Sequence, residues 1–180
     1  MATHPKCIVA IRASAGGLNA LAEMVRSLPQ GLDAAYCIVL HLSRKGIGDF
    51  TVHRLRQVTS MNRSMASEGA DIEKDHIYIA RPNQHLLVKD NKFILGSGPA
   101  ENRFRPSIDV LLRSVAVVYG SHEIGIILSG MLDDGTFTDP ETRYSGKFDI
   151  IEKAATITQK RNGKVARFWY VYRFKTSKGV

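Results

Sequence analysis

The chain has 180 residues, enough for one domain or for one domain with a small appendage. Its apolar share of 44% suits a globular core, and no apolar run nears the ~20 residues that span a bilayer. The formal net charge is +8 and lies mostly at one end: residues 1–135 hold 15 Lys/Arg against 13 Asp/Glu (net +2), and residues 136–180 hold 10 against 4 (net +6). Met1–Lys6 carries no signal pattern. Cys7 and Cys37 sit within apolar runs and read as buried free thiols rather than a disulfide framework. A cytoplasmic location without membrane insertion is therefore expected. The charge shift places a boundary near residue 135.

In chain order, Cys7–Ile11 (CIVAI) is a short continuous apolar run, as expected of a strand covered on both faces. A Ser-Ala-Gly-Gly turn follows, and then Leu18, Leu21, Ala22, Val25 and Leu28 recur at helical spacing up to Pro29. Tyr36–Leu40 is a second buried strand ending at His41, and Asp49–Val58 reads as a helix. His76–Ala80 is a strand. His85–Val88 and Lys92–Leu95 form a hairpin around Asp90-Asn91. Ser107 is a suitable N-cap for a helix through about Tyr119. Glu123–Leu128 is a strand, followed by a loop that contains Asp134. Buried strands alternating with amphipathic helices predict an α/β, doubly wound and mostly parallel sheet.

Sites in such sheets gather at the carboxyl ends of the strands. Ser14, His41 and Asp134 each follow a separate predicted strand, so three residues distant in sequence meet at one sheet edge. A serine hydroxyl needs an adjacent base to become a nucleophile, and the base needs a third group to hold its tautomer. Ser14 attacking, His41 shuttling the proton and Asp134 orienting the imidazole meet that need. A helix starting after Ser14 offers unpaired N–H groups at Ala15 and Gly16 to an oxyanion, and Gly16-Gly17 permits the tight turn. The same turn also suits phosphate binding at a helix N-terminus, or a plain connection. The order Ser…His…Asp departs from the usual α/β-hydrolase order. His4, His53, His76, His85 and His122 show no metal-ligand spacing, and neither a metal nor another cofactor is expected.

Five ordered blocks, IRASAGGLNAL, VLHLS, GADIEKDHIYIARPNQHLLV, NRFRPSIDVLLRSVA and GIILSGMLDDG, resemble those of the chemotaxis protein-glutamate methylesterases (CheB-type catalytic domains). The resemblance runs from about Cys7 to Gly135. It implies a serine hydrolase with the triad Ser14, His41 and Asp134. The implied reaction is cleavage of glutamate methyl esters on the cytoplasmic helices of chemoreceptors, with glutamine deamidation in some members. A methyltransferase or kinase of the same pathway is a further partner that the resemblance admits. Arg105, in the fourth block, is implied as a contact for an acidic receptor surface, or else is a solvated loop arginine. Met131 resembles a residue beside the oxyanion site, or else is a packing methionine. The family often carries a receiver domain ahead of the catalytic block. That block begins here at residue 7, so control by such a domain is not expected. Arg12 and Leu132 stand where the family normally has glycine, and the resemblance fades after Gly135.

In the tail, Asp149–Lys153 reads as the start of a short helix and Ala155–Gln159 as a strand. Asn162-Gly163 is a hairpin signal before Lys164–Phe174 (KVARFWYVYRF). The predicted unit is a basic, aromatic β-hairpin. Its basic NG turn before an aromatic strand resembles the arm-type DNA-binding domains of phage-like integrases, and Lys, Arg and aromatics together suit nucleic acid. Aromatics packed on the core, or a rearranged end of the chain, fit the same residues. The reading is thus a methylesterase-like α/β domain over 1–135 with a divergent tail over 136–180. The alternatives are a catalytically impaired binding module, or nucleic-acid binding through the tail.

Overall fold

The three apolar runs that read as buried strands lie side by side at the centre of one sheet. In this computed structural model the described residues are 4–14, 17–41, 47–128, 146–161 and 164–176; for Ser14, His41, Ile47, Gly48 and residues 146–176 only the backbone is described. The elements are β1 (Cys7–Ser14), α1 (Leu18–Ser27), β2 (Ala34–His41), α2 (Ile47–Arg56), β3 (Asn62–Met65), β4 (His76–Ile79), β5 (His85–Lys89), β6 (Lys92–Gly96), α3 (Ile108–Tyr119), β7 (Glu123–Leu128), β8 (Gly146–Arg161) and β9 (Lys164–Thr176). Seven strands form the main sheet in the order β3-β4-β2-β1-β7-β9-β8. The first five are parallel, and β9 and β8 add antiparallel.

Alternation along β1 sorts its side chains between two cores. Val9, Ile11 and Ala13 pack with Leu21 and Val25 of α1 and Leu55 of α2. Ile8 and Ala10 pack with Ile108, Leu111, Leu112 and Val115 of α3 and with Leu86, Val88 and Phe93 of the β5–β6 hairpin. Helices thus cover both faces of the parallel strands, which explains why β1 and β2 read as unbroken apolar runs. The hairpin turns at Asp90-Asn91, with φ of 50° and 58° as a two-residue hairpin turn requires. It is fastened to α3 where the Val88 N–H donates to Ser114 Oγ at 3.0 Å.

Several expectations change in detail. The strand at the N-terminus continues past Ile11 through Arg12 to Ser14, so Arg12 lies within β1. The expected helical start at Asp149–Lys153 is strand throughout, because β8 extends from Gly146 to Arg161 against β9, with a register shift between Ile150 and Glu152. The β-branched residues Ile150, Ile151, Thr156, Ile157 and Thr158 suit that extended backbone. Residues 162–163, where the hairpin turn was expected, lie outside the described residues. Strand β3 carries no apolar alternation and was not anticipated. Among the described residues no helix is long and apolar enough to cross a membrane.

One acid is buried at the amino end of the sheet. Glu123 opens β7 beside Ile8, is 0% exposed, and neither carboxylate oxygen has a hydrogen-bond partner among the described residues. Burial pushes its carboxyl up to about 9, so it holds a proton at neutral pH in the folded chain. Unfolding returns it to an ordinary value near 4.5 and releases that proton. The contribution of Glu123 to stability is therefore greatest below about 4.5 and falls as pH rises toward 9. Glu123→Gln is expected to flatten this loss and to be the more stable chain at pH 8 by of the order of a few kcal/mol. Melting temperatures of both chains across pH 5–9 check it.

Candidate active site

The carboxyl ends of β1 and β2 form the edge where the sequence placed its catalytic candidates. The parallel register pairs Arg12 with Val39, Ala13 with Leu40 and Ser14 with His41. Ser14 and His41 are thus the last residues of adjacent strands, directly opposite each other. Neighbouring strands lie about 4.8 Å apart. By alternation both residues fall on the face that carries Ala10 and Val39, the α3 face. Asp134, Ala15, Gly16, Met131 and Leu132 lie outside the described residues. Helix α1 begins at Leu18 with Gly17 as its N-cap, four residues after Ser14. The first-turn N–H groups of such a helix have no partners within the helix.

Arg12 is 2% exposed and flanked by Val39 on β2 and Ile127 on β7. A guanidinium in that position requires partners, and Arg12 is not without them. Glu123 and His76 begin their strands at the opposite edge and take no part in this site. Burial lowers the His76 imidazole below its ordinary range, and the ring stacks on Tyr78 with 4.1 Å between centroids.

Over the same end of the sheet lies the N-terminus of α3. The helix runs back to the amino edge and enters β7 through the turn Gly120–His122, so its first turn faces the carboxyl ends of the strands. Ile108 and Leu111 at this end share a core with Val39 and Ile127. Ser107 is fully buried and caps the helix by accepting from the Asp109 N–H at 3.3 Å. His85, 4% exposed, joins the hairpin to this cap. Its Nδ1 accepts from the Ser107 N–H at 3.2 Å and its Nε2 donates to the Pro99 carbonyl at 2.8 Å. Those two contacts fix the tautomer with the proton on Nε2.

Arg105, the expected substrate contact, has its donors committed within the chain. Nε and one Nη reach Asn83 Oδ1 at 3.0 and 2.7 Å, and the other Nη reaches the carbonyls of Ser97 and Gly98 at 3.0 and 2.6 Å. It fastens the segment before α3 to two neighbouring loops. Sequence reasoning did not single out His85 as a bridge, nor Asn102, Asp109 and Arg103. The signal available for the turn was Asn102, a residue type that tolerates positive φ.

A doubly wound α/β domain whose adjacent central strands end on a serine and a histidine belongs to the class that carries its chemistry at the carboxyl edge of the sheet. The chain is a member of the CheB methylesterase family, whose model matches residues 9–161. That match extends past residue 135, where the sequence resemblance was expected to stop. A protein-glutamate methylesterase/protein-glutamine glutaminase of Methanosarcina acetivorans is 34% identical over 172 residues, covering 91% of this chain and 48% of the relative. A putative enzyme of the same description from Leptospira interrogans is 32% identical over 82% of this chain and 77% of its own length. The crystal structure of the Thermotoga maritima CheB methylesterase catalytic domain superposes with a TM-score of 0.68 at 30% identity, covering 72% of this chain and 70% of that one. The chain spans about half the length of several curated relatives it matches.

Arg105→Ala severs four hydrogen bonds to three residues. It is expected to lower stability by about 1–3 kcal/mol, read as a fall in the urea midpoint without a change in slope.

Proposed function

We propose that the chain is a serine-dependent hydrolase of glutamate methyl esters on chemoreceptor proteins. The observation that carries this reading is the β1–β2 register, which sets Ser14 opposite His41 in a member of the methylesterase family. Names of the relatives, which include protein-glutamine glutaminase, support the substrate class. Ester and amide differ here only in the leaving group.

In this reading Ser14 Oγ attacks the γ-carbonyl of the glutamyl ester as His41 takes the hydroxyl proton. Asp134 orients the imidazole and stabilises its charged form. The oxyanion is met by backbone N–H groups at Ala15 and Gly16, ahead of α1, and at Met131. The C–O bond to the methoxy group then breaks, and His41 returns the proton to release methanol. Water, deprotonated by His41, hydrolyses the acyl-serine, leaving a glutamate carboxylate and the free hydroxyl. No step calls for a metal or an organic cofactor. The receptor's cytoplasmic helices are the partner, and the site of action is the cytoplasm.

The test is methanol release from a methylated chemoreceptor cytoplasmic fragment. Turnover is expected from the purified chain and is expected to fall by at least about 10⁴-fold in Ser14→Ala. Absence of turnover in protein that melts cooperatively would contradict the reading.

A further inference from the structure

A short turn at the N-terminal end of α3 presents one cation with no partner among the described residues. Glu101 and Phe104 pair across it, with the Phe104 N–H donating to the Glu101 carbonyl at 2.8 Å and the Glu101 N–H to the Phe104 carbonyl at 3.1 Å. Its two central residues, Asn102 and Arg103, have φ of 50° and 69°. This is the two-residue, positive-φ geometry that favours Asn followed by Gly. Asn suits its position; arginine at the second does not, because its Cβ strains a left-handed backbone.

The turn is held on every side. The Glu101 carboxylate pairs with Arg113 of α3. Asn102 Nδ2 donates to Asp109 Oδ2 in the first turn of α3 at 2.5 Å. Arg105 is pinned by Asn83, Ser97 and Gly98. His85 holds the chain before and after the turn through Pro99 and Ser107. Among the polar side chains of residues 101–105, that of Arg103 makes neither a hydrogen bond nor an ion pair with any described residue, and Arg103 is exposed. The link from Asn102 to Asp109 places the turn at the N-terminus of α3. That is the sheet end, and the sheet face, of Ser14 and His41.

We infer that Arg103 is the specificity-determining arginine of this site, a cation carried on an ordered turn that docks carboxylates flanking the glutamyl ester on an acidic helical substrate. A guanidinium meets a carboxylate through two parallel N–H donors, and because the turn that carries it is already ordered, only the Arg103 side chain itself loses freedom on binding. The assignment moves the role from Arg105, four of whose five N–H donors are engaged within the chain, to the residue two positions earlier. It rests on the proposed esterase activity for its substrate.

The test compares Arg103→Gly with the unaltered chain. Glycine relieves the positive φ, so the melting temperature is expected to stay level or rise. On a methylated receptor fragment at low salt, KM is expected to rise about five- to tenfold with kcat little changed, since one charge-assisted contact is lost from binding. The increase of KM with added salt becomes shallower in the variant. Cleavage of a small neutral aryl acetate stays unchanged, and Arg103→Lys recovers part of the loss. Unchanged KM and salt response overturn the inference, as does an equal loss on the aryl acetate. Arg103-dependent binding of duplex DNA with no effect on the receptor fragment also overturns it. Where the unaltered chain cleaves neither ester, the esterase reading fails. The inference is then decided by the dissociation constant for the fragment: weakening in Arg103→Gly upholds it, and equal binding overturns it.

Discussion

The register between β1 and β2 is the constraint on which the rest depends. Because side chains alternate with period two, slipping one strand by a single residue would move His41 to the other face and leave Ser14 opposite a leucine. What fixes the register is burial on both faces. Ile8 and Ala10 on one side and Val9, Ile11 and Ala13 on the other are each 7% exposed or less, with Ala35, Cys37, Tyr36 and Ile38 of β2 in the same two cores. Any slip would expose both sets together. The cores therefore do more than stabilise the sheet, since they determine which two residues end their strands as neighbours.

The second layer of organisation is polar. Apolar contacts hold α3 to the sheet through Leu111, Leu112 and Val115, but its N-terminal turn is placed by hydrogen bonds from Ser107, His85 and Asn102. These contacts are buried or partly buried, where an unmet donor costs more than a made bond contributes. They tie the segment from Pro99 to Ser107 to the hairpin and to α3. Arg12 and Glu123 are the opposite case: ionisable groups sunk into the centre of the sheet, one at each end. Arg12 is accommodated by its partners and Glu123 by taking up a proton.

Much of this was legible in the sequence, and the division between what was and was not follows from the physics. CIVAI, YCIVL and EIGIIL announced buried parallel strands because both their faces are covered. Ser107 announced the start of α3, and Asp90-Asn91 announced the hairpin. The opposition of Ser14 and His41 was within reach because strand ends in such sheets share an edge. Strand β3, NRSM, was not, since a short edge strand with mixed burial carries no alternating pattern. Glu123 looked like an ordinary polar strand start; its place beside Ile8 in the central sheet, where it is 0% exposed, is a tertiary fact that local sequence does not carry. Arg103 and Arg105 are two residues apart in one motif. Their difference lies wholly in tertiary partners from residues 83, 97 and 98, which sequence spacing does not encode.

The central claim is that Ser14 is a nucleophile activated from the adjacent strand by His41. Its most direct test is covalent: incubation of the folded chain with a fluorophosphonate, followed by mass mapping of the adduct. The account predicts a single phosphonyl group on the peptide carrying Ser14, formed much more slowly in His41→Ala. A folded chain that stays unmodified, or one modified at another serine with Ser14 untouched, would contradict it.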